Sequence, residues 1–388
     1  MNQTKDTMTR KNFLELAGKS AVAIGTLKKH VLNAGAALAA TTNKTTLRQT
    51  VKRLNLRHTW TIARGSSDFK EYAYVELSSD GVVGWGEAAH NVRYSESLES
   101  TQAAIDKARP LIEGANLWHF VDLGYAIQEI VEQQTAAKTA LDMALIDWVT
   151  KKLGVPLYHY LGLDKSKTPL TSFSIGIDKP EIMQAKIREA EIYPILKIKV
   201  GTPDDEIIMT AVRAVTDKPL FVDANEGWKS KEEALDKIQW LAKNNVVLLE
   251  QPLPAAMHEE QKWLRQRCAE LGIKLPIIAD ETVKRASDIP KLAEAYDGIN
   301  IKLMKAGGIQ EALRMIYLAR CLNLKILLGC MIESSLGITA AAHLSPLADW
   351  ADLDGNLLIA NDPFTGVKVD QGKLILPDGP GLGVRGKF

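Results

Sequence analysis

Hydrophobic and polar positions change their rhythm along the chain, and the first regular stretch is an alternation. The runs Tyr72-Ala73-Tyr74-Val75-Glu76-Leu77 and Val82-Val83-Gly84-Trp85-Gly86-Glu87 flank Ser79-Asp80-Gly81. That order predicts an antiparallel hairpin closed by an Asp-Gly turn. Between Thr135 and Lys152 the spacing becomes helical. Ala140, Leu141, Ala144, Leu145 and Trp148 form a stripe at intervals of three and four residues, and Gly154 with Pro156 ends it. Residues 47–165 are therefore expected to form a small α+β domain.

Beyond Thr168 short apolar runs recur, each followed by a polar residue and a helical segment: Ile195 to Val200, Leu220 to Val222, Val246 to Leu249, Ile277 to Ala279, Ile299 to Leu303 and Ile326 to Leu328. Ser230 and Glu233 supply a capping box for one intervening helix, which Leu235, Ile238 and Leu241 continue on one face. Strand and helix in alternation predict a parallel α/β architecture with right-handed crossovers, and either an eight-fold barrel or a doubly wound sheet fits. The residues closing the strands decide between them. Lys199, Asp223, Glu250, Asp280 and Lys302 are separated by 24, 27, 30 and 22 residues, one charge per βα unit. In a barrel those strand ends converge on one mouth, whereas an open sheet would spread them along an edge. Residues 166–355 are thus expected to form a (β/α) barrel of modified TIM type.

Composition narrows the chemistry. The 388 residues carry a net charge of +1 and no basic stripe, so nothing favours nucleic acid as a partner. Cys268, Cys321 and Cys330 lack metal-ligand spacing and read as buried thiols, and the seven histidines are unpaired, which leaves carboxylates to hold any metal. At the amino terminus, Thr9-Arg10-Lys11-Asn12-Phe13-Leu14, the apolar Ala21 to Gly25 and the small-residue run Ala36 to Ala40 resemble a twin-arginine-type export leader within residues 1–46. A genuine leader implies a periplasmic protein, and an ordinary helix there a cytoplasmic one. No run reaches the roughly 18 uncharged apolar residues of a membrane span.

In a strand, Lys197 and Lys199 share one face, and two inward ammonium groups are costly unless carboxylates or a metal surround them. Each is expected to lower the other's pKa. Asp223, Glu250 and Asp280 are hard donors suited to Mg²⁺, which takes a few carboxylates and leaves further positions to water or substrate. Lysines on opposite sides of such a cation suit removal of a proton from a carbon beside a carboxylate and its return on the other face, which is racemisation or epimerisation.

These residues carry a resemblance. Lys197-Ile198-Lys199, the Asp223, Glu250, Asp280 series and Ile301-Lys302-Leu303-Met304-Lys305-Ala306-Gly307-Gly308 are similar to the muconate-lactonizing subgroup of the enolase superfamily. Gly84-Trp85-Gly86-Glu87-Ala88 and Gly154-Val155-Pro156-Leu157 resemble that family's capping domain, and residues 356–388 are expected to return to it. Asp352 and Asp354, in Ala351-Asp352-Leu353-Asp354-Gly355, resemble the Asp-x-Asp with which dipeptide epimerases hold the substrate's ammonium group.

The resemblance implies Lys199 and Lys302 as the two bases, with Lys197 lowering the pKa of Lys199. It implies one Mg²⁺ per subunit on Asp223, Glu250 and Asp280, a metal-stabilised enediolate, a homo-oligomer, and a dipeptide of the L-Ala-D/L-Glu kind from peptidoglycan peptide metabolism. Asn225 and Glu281 are expected to orient ligands or Lys302 from behind, and Met331, Glu333 and Ser334 to line the substrate site. Arg64 in the first capping loop is expected to meet an acidic side chain. Lys305 matches no base position and is expected beside the following helix. Cycloisomerase and o-succinylbenzoate synthase chemistry of the same subgroup stay open, as does a more remote Schiff-base aldolase using Lys302.

Overall fold

The computed structural model describes residues 45–62, 65–130 and 132–386. The leader and Arg64 lie outside the described residues. The chain begins with an antiparallel sheet in the order β1 (Thr46–Ile62), β2 (Gly65–Ser79) and β3 (Val82–Ala88). Ser79 pairs with Val82, and Asp80 and Gly81 take φ of 50° and 72°, the left-handed pair that a two-residue hairpin turn needs. Helices α1 (Leu98–Glu113), α2 (Phe120–Glu129) and α3 (Thr135–Leu153) complete this capping layer.

The contact between β3 and α3 explains the Gly-Trp-Gly sequence. A Cβ on Gly84 would stand 2.0 Å from the carbonyl oxygen of Ala144, and one on Gly86 would stand 1.9 Å from that of Ala140. Only glycine lets the helix backbone lie directly on the strand. Between them, the Trp85 amide donates to Asp147 on α3 at 2.9 Å.

Eight parallel strands follow: β4 (Phe173–Ile175), β5 (Leu196–Lys199), β6 (Leu220–Asp223), β7 (Val246–Glu250), β8 (Ile277–Ala279), β9 (Gly298–Ile301), β10 (Lys325–Gly329) and β11 (Trp350–Asp352). Each pairs with its neighbour in chain order. A bridge between Thr171 and Ala351, and the Ser172 amide donating to the Ala351 carbonyl at 3.1 Å, bring the last strand back to the first. The sheet is thus a nearly closed barrel, and the doubly wound alternative falls.

Alternation along the strands sorts side chains into layers. Leu196, Ile198 and Val200 face outward into the main apolar core. Phe221, Leu248, Ile278 and Leu327 form a separate fully buried cluster, the apolar floor of the barrel. Two residues after the first three of these come Asp223, Glu250 and Asp280, which period two keeps on the inner face but one layer nearer the mouth. The carboxyl-terminal segment then returns to the cap. The Ala360 amide donates to the Asn55 carbonyl at 2.8 Å, and the Phe364 ring packs at 5.4 Å from Tyr74 and 5.9 Å from Trp85.

Because α3 cannot move off β3 without opening the cap core, Gly86→Ala should destabilise the fold by about 3 kcal/mol, the upper range for overpacking. Urea unfolding would measure it, and a loss below about 1 kcal/mol would show that the helix yields.

Candidate active site

The barrel mouth concentrates charge that the chain keeps almost free of water. Asp223, Glu250 and Asp280 close the third, fourth and fifth barrel strands, are at most 1% exposed, and offer ligand oxygens within 4.8 Å of one another. Three desolvated carboxylates at that distance repel strongly. The chain answers with lysines. Lys199 Nζ donates to Asp223 at 2.6 Å, and Lys302 Nζ donates to Asp280 at 2.7 Å. Lys197 Nζ lies 2.7 Å from Glu250, 2.7 Å from Asp352 and 3.2 Å from Asp223.

Lys199 ends the second barrel strand and Lys302 follows the sixth, so the two amines approach from opposite walls of an eight-stranded ring. Both line a cavity of about 700 Å³ between barrel and cap, together with Lys197, Asn225, Asp280 and Glu281. The acidic trio fits a divalent cation of the hard, oxygen-seeking kind, since every donor is a buried carboxylate.

The electrostatics are those of a carboxylate cluster held by ammonium groups. Burial, then Asp223, pushes Glu250 up to about 8. Burial alone would raise Asp223 as well, but Lys199 and Lys197 outweigh it and hold Asp223 low. Burial works against the charge on Lys197, yet Asp352, Glu250 and Asp223 raise its pKa well above the ordinary value. That corrects one expectation. Lys197 is expected below its ordinary pKa beside Lys199, but the carboxylates that surround it reverse the direction, and its charge binds β5 to β7 and β11.

Several other side chains are placed differently from the expectation. Lys305 is 2% exposed and turns inward: its ammonium donates to the Asp280 side chain and to the Asn300 carbonyl at 3.2 Å. One helical turn after Lys302 carries it back over the same carboxylate, which spacing from the strand end does not reveal. Asn300, also unforeseen, donates to Glu250 at 2.7 Å from two residues before Lys302. Asn225 lines the cavity beside the trio, its backbone amide donating to Asp223 at 2.9 Å and its side-chain amide to Glu281 at 3.3 Å.

Asp352 and Asp354 both line the cavity. Asp352 is largely committed, accepting from Lys197 and, at 2.7 Å, from the Ser172 hydroxyl. Asp354 accepts the Ser174 amide at 2.6 Å, and burial with the neighbouring Asp352 raises it to about 7. Met331 and Cys330 line the cavity wall, whereas Glu333 and Ser334 lie behind it. Glu333 accepts the Met331 amide at 2.8 Å and so fixes the wall. Ser334 caps the helix Ser335–Ala342 and donates to Glu87 at 2.6 Å. Glu87 and Glu333 thereby meet at the junction of cap and barrel, both at most 1% exposed, and a Cβ on Gly337 would lie 3.0 and 2.5 Å from their respective Oε2 atoms.

A barrel carrying a carboxylate on each of three successive strands between two lysine strands, under an α+β cap, defines a metal-assisted enzyme of carbon acids. The chain belongs to the mandelate racemase and muconate lactonizing enzyme family of the enolase superfamily. Residues 44–162 match the family model for the mandelate racemase / muconate lactonizing enzyme N-terminal domain, and residues 182–387 match the enolase C-terminal domain-like model. The chain is 43% identical over 332 residues to the L-Ala-D/L-Glu epimerase of Bacteroides thetaiotaomicron, covering 85% of each chain. Its fold is similar to a substrate-liganded complex of the L-Ala-D/L-Glu epimerase from Bacillus subtilis, at TM-score 0.83 and 30% identity over 89% of this chain and 99% of that one. It is also similar to the dipeptide epimerase of Enterococcus faecalis complexed with Mg and L-Leu-L-Tyr, at TM-score 0.82 and 32% identity over 88% and 99%.

The pair behind the cavity wall generates a pH dependence. Burial raises Glu333 to about 8 and Glu87 to about 7, so the folded chain holds protons there that the unfolded chain releases. Stability should therefore fall as pH rises from about 4.5 to about 8, the full cost being present above the folded values. Glu333→Gln keeps an acceptor for the Met331 amide but removes the ionisation. Its thermal midpoint should match the parent near pH 5 and exceed it near pH 8.5. Parallel profiles for the two proteins would contradict the assignment.

Proposed function

We propose that this chain is a Mg²⁺-dependent dipeptide epimerase that removes and returns the α-proton of the carboxy-terminal residue, with L-Ala-D/L-Glu as its substrate class. One observation carries the reading: amines on the second and sixth barrel strands face one cavity from opposite walls, with the acidic trio on the strands between them. The L-Ala-D/L-Glu epimerase activity of the Bacteroides and Bacillus relatives supports the substrate class. The Mg in the Enterococcus complex supports the metal.

Asp223, Glu250 and Asp280 would hold the ion. A bound Mg²⁺ would supply positive charge against the substrate carboxylate, where negative charge develops as the α-proton leaves. The remaining work falls to the chain. Lys199 and Lys302 each grip a carboxylate oxygen of the trio, and each must release it before its Nζ can exchange a proton with the α-carbon. One acts as the neutral base while the other, still an ammonium, delivers a proton to the opposite face. Asp354, whose carboxylate borders the cavity beside Asp352, offers negative charge to the peptide's terminal ammonium.

This division of labour is testable by variants. Lys199→Ala and Lys302→Ala should each reduce net epimerisation by at least about a thousandfold while retaining deuterium exchange from one stereoisomer, a different one in each variant. NMR of each pure stereoisomer in D₂O measures this, and loss of exchange from both isomers in both variants contradicts the two-base assignment. Asp223→Asn should weaken Mg²⁺ binding, read by titration calorimetry without substrate, by at least about tenfold. Unchanged binding would remove Asp223 from the ligand set.

A further inference from the structure

Above the reacting centre the cavity has a rim built by the cap, and one charge on it lacks a described partner. Lys70 lies on β2 two residues before Tyr72, so the two side chains share a face. Tyr72 is buried edge-on against His90, ring centroids 5.4 Å apart, and Lys70, Tyr72 and His90 line the same wall. Lys70 therefore continues an inward-facing row out to the rim.

Two of the neighbouring charged groups have partners of their own. Arg93 makes two hydrogen bonds to Glu226, both of 2.9 Å, which tie cap to barrel. Glu99, in the first turn of α1, is held below its ordinary pKa by a helix amide and the Ser97 hydroxyl. His90 is kept below its ordinary value by burial. The Lys70 ammonium has no hydrogen bond or ion pair to a described residue, and burial lowers its pKa with no carboxylate opposing. A half-buried cation facing a cavity without a fixed anion is costly unless the ligand brings the anion.

The geometry points to Lys70 as the residue that reads an acidic side chain on the epimerised residue, making carboxy-terminal Glu the preferred side chain over its neutral isostere. This rests on the epimerase reading above. A lysine suits the task as a point charge on a flexible stem that follows a carboxylate without demanding one orientation. Charged recognition of this kind discriminates mainly against the analogue that leaves the cation unpaired.

The test compares L-Ala-L-Glu with L-Ala-L-Gln on the parent protein, Lys70→Met and Lys70→Arg, in Mg²⁺. The expected result is a preference for Glu over Gln, in kcat/KM and carried by KM, that drops at least about tenfold in Lys70→Met and survives in Lys70→Arg. The same preference is read independently as dissociation constants by calorimetry. An unchanged Glu-to-Gln ratio in Lys70→Met, or a parent protein that binds both dipeptides equally, overturns the role of Lys70. Absence of α-deuterium exchange with either dipeptide in the parent protein overturns the epimerase reading instead, and the binding ratio still decides the fate of Lys70.

Discussion

Everything at the barrel mouth depends on keeping three carboxylates close together in a place without water. Asp223, Glu250 and Asp280 would repel one another at a cost far above the net stability of a typical domain if nothing opposed their charge. Four lysines, Lys197, Lys199, Lys302 and Lys305, each reach a carboxylate of the trio. They do so from β5 and from the segment just after β9, so neutralising the trio also ties β5 to β6, β7 and β11, and the end of β9 to the end of β8. The charges needed for chemistry and the contacts that fix the strand ends are the same contacts.

The barrel makes this arrangement possible through two periodicities. Period two along each strand lifts every carboxylate one layer above the apolar floor of Phe221, Leu248, Ile278 and Leu327. The eight-fold ring then separates Lys199 and Lys302 by four strands, which sets them on opposite walls. The cap supplies the remaining enclosure. Arg93 reaches Glu226, Glu87 reaches Ser334 and Gly337, and Phe364 wedges between Tyr74 and Trp85, so the cavity is walled by residues from both halves of the chain. An amine in that setting meets substrate at low dielectric, where its proton affinity responds strongly to whether the carboxylate beside it is occupied elsewhere.

Much of this was legible in the sequence, and the parts that were not share a physical cause. Strand ends bearing Lys199, Asp223, Glu250, Asp280 and Lys302 stand out because a charge that terminates an apolar run is rare. The hairpin at Asp80-Gly81 stands out because its turn demands left-handed backbone. By contrast β4 and β11 have three residues each, too few to display any period, and β1 is exposed along much of its length, so its polar pattern hides a strand of 17 residues. Lys305 does lie in a short helix, Leu303–Ala306, but sequence gives its position along the chain and not the inward direction of its side chain. Glu333 and Ser334 stand in the right segment, but the turn there aims them at Glu87 and away from the cavity. Pairing between distant carboxylates and lysines, such as Lys197 with Asp352, is set by the closure of the ring, which no local pattern carries.

The central claim is that Lys199 and Lys302 exchange a proton with the two faces of one α-carbon. The direct measurement follows the wild-type protein with L-Ala-L-Glu and Mg²⁺ in D₂O by NMR and mass spectrometry through the first turnovers. Opposed lysines predict that the epimer forms with deuterium at the α-carbon of its carboxy-terminal residue, because the returning proton comes from an amine that has exchanged with solvent. An epimer that keeps its original α-proton, or an α-carbon that never exchanges, would contradict the account.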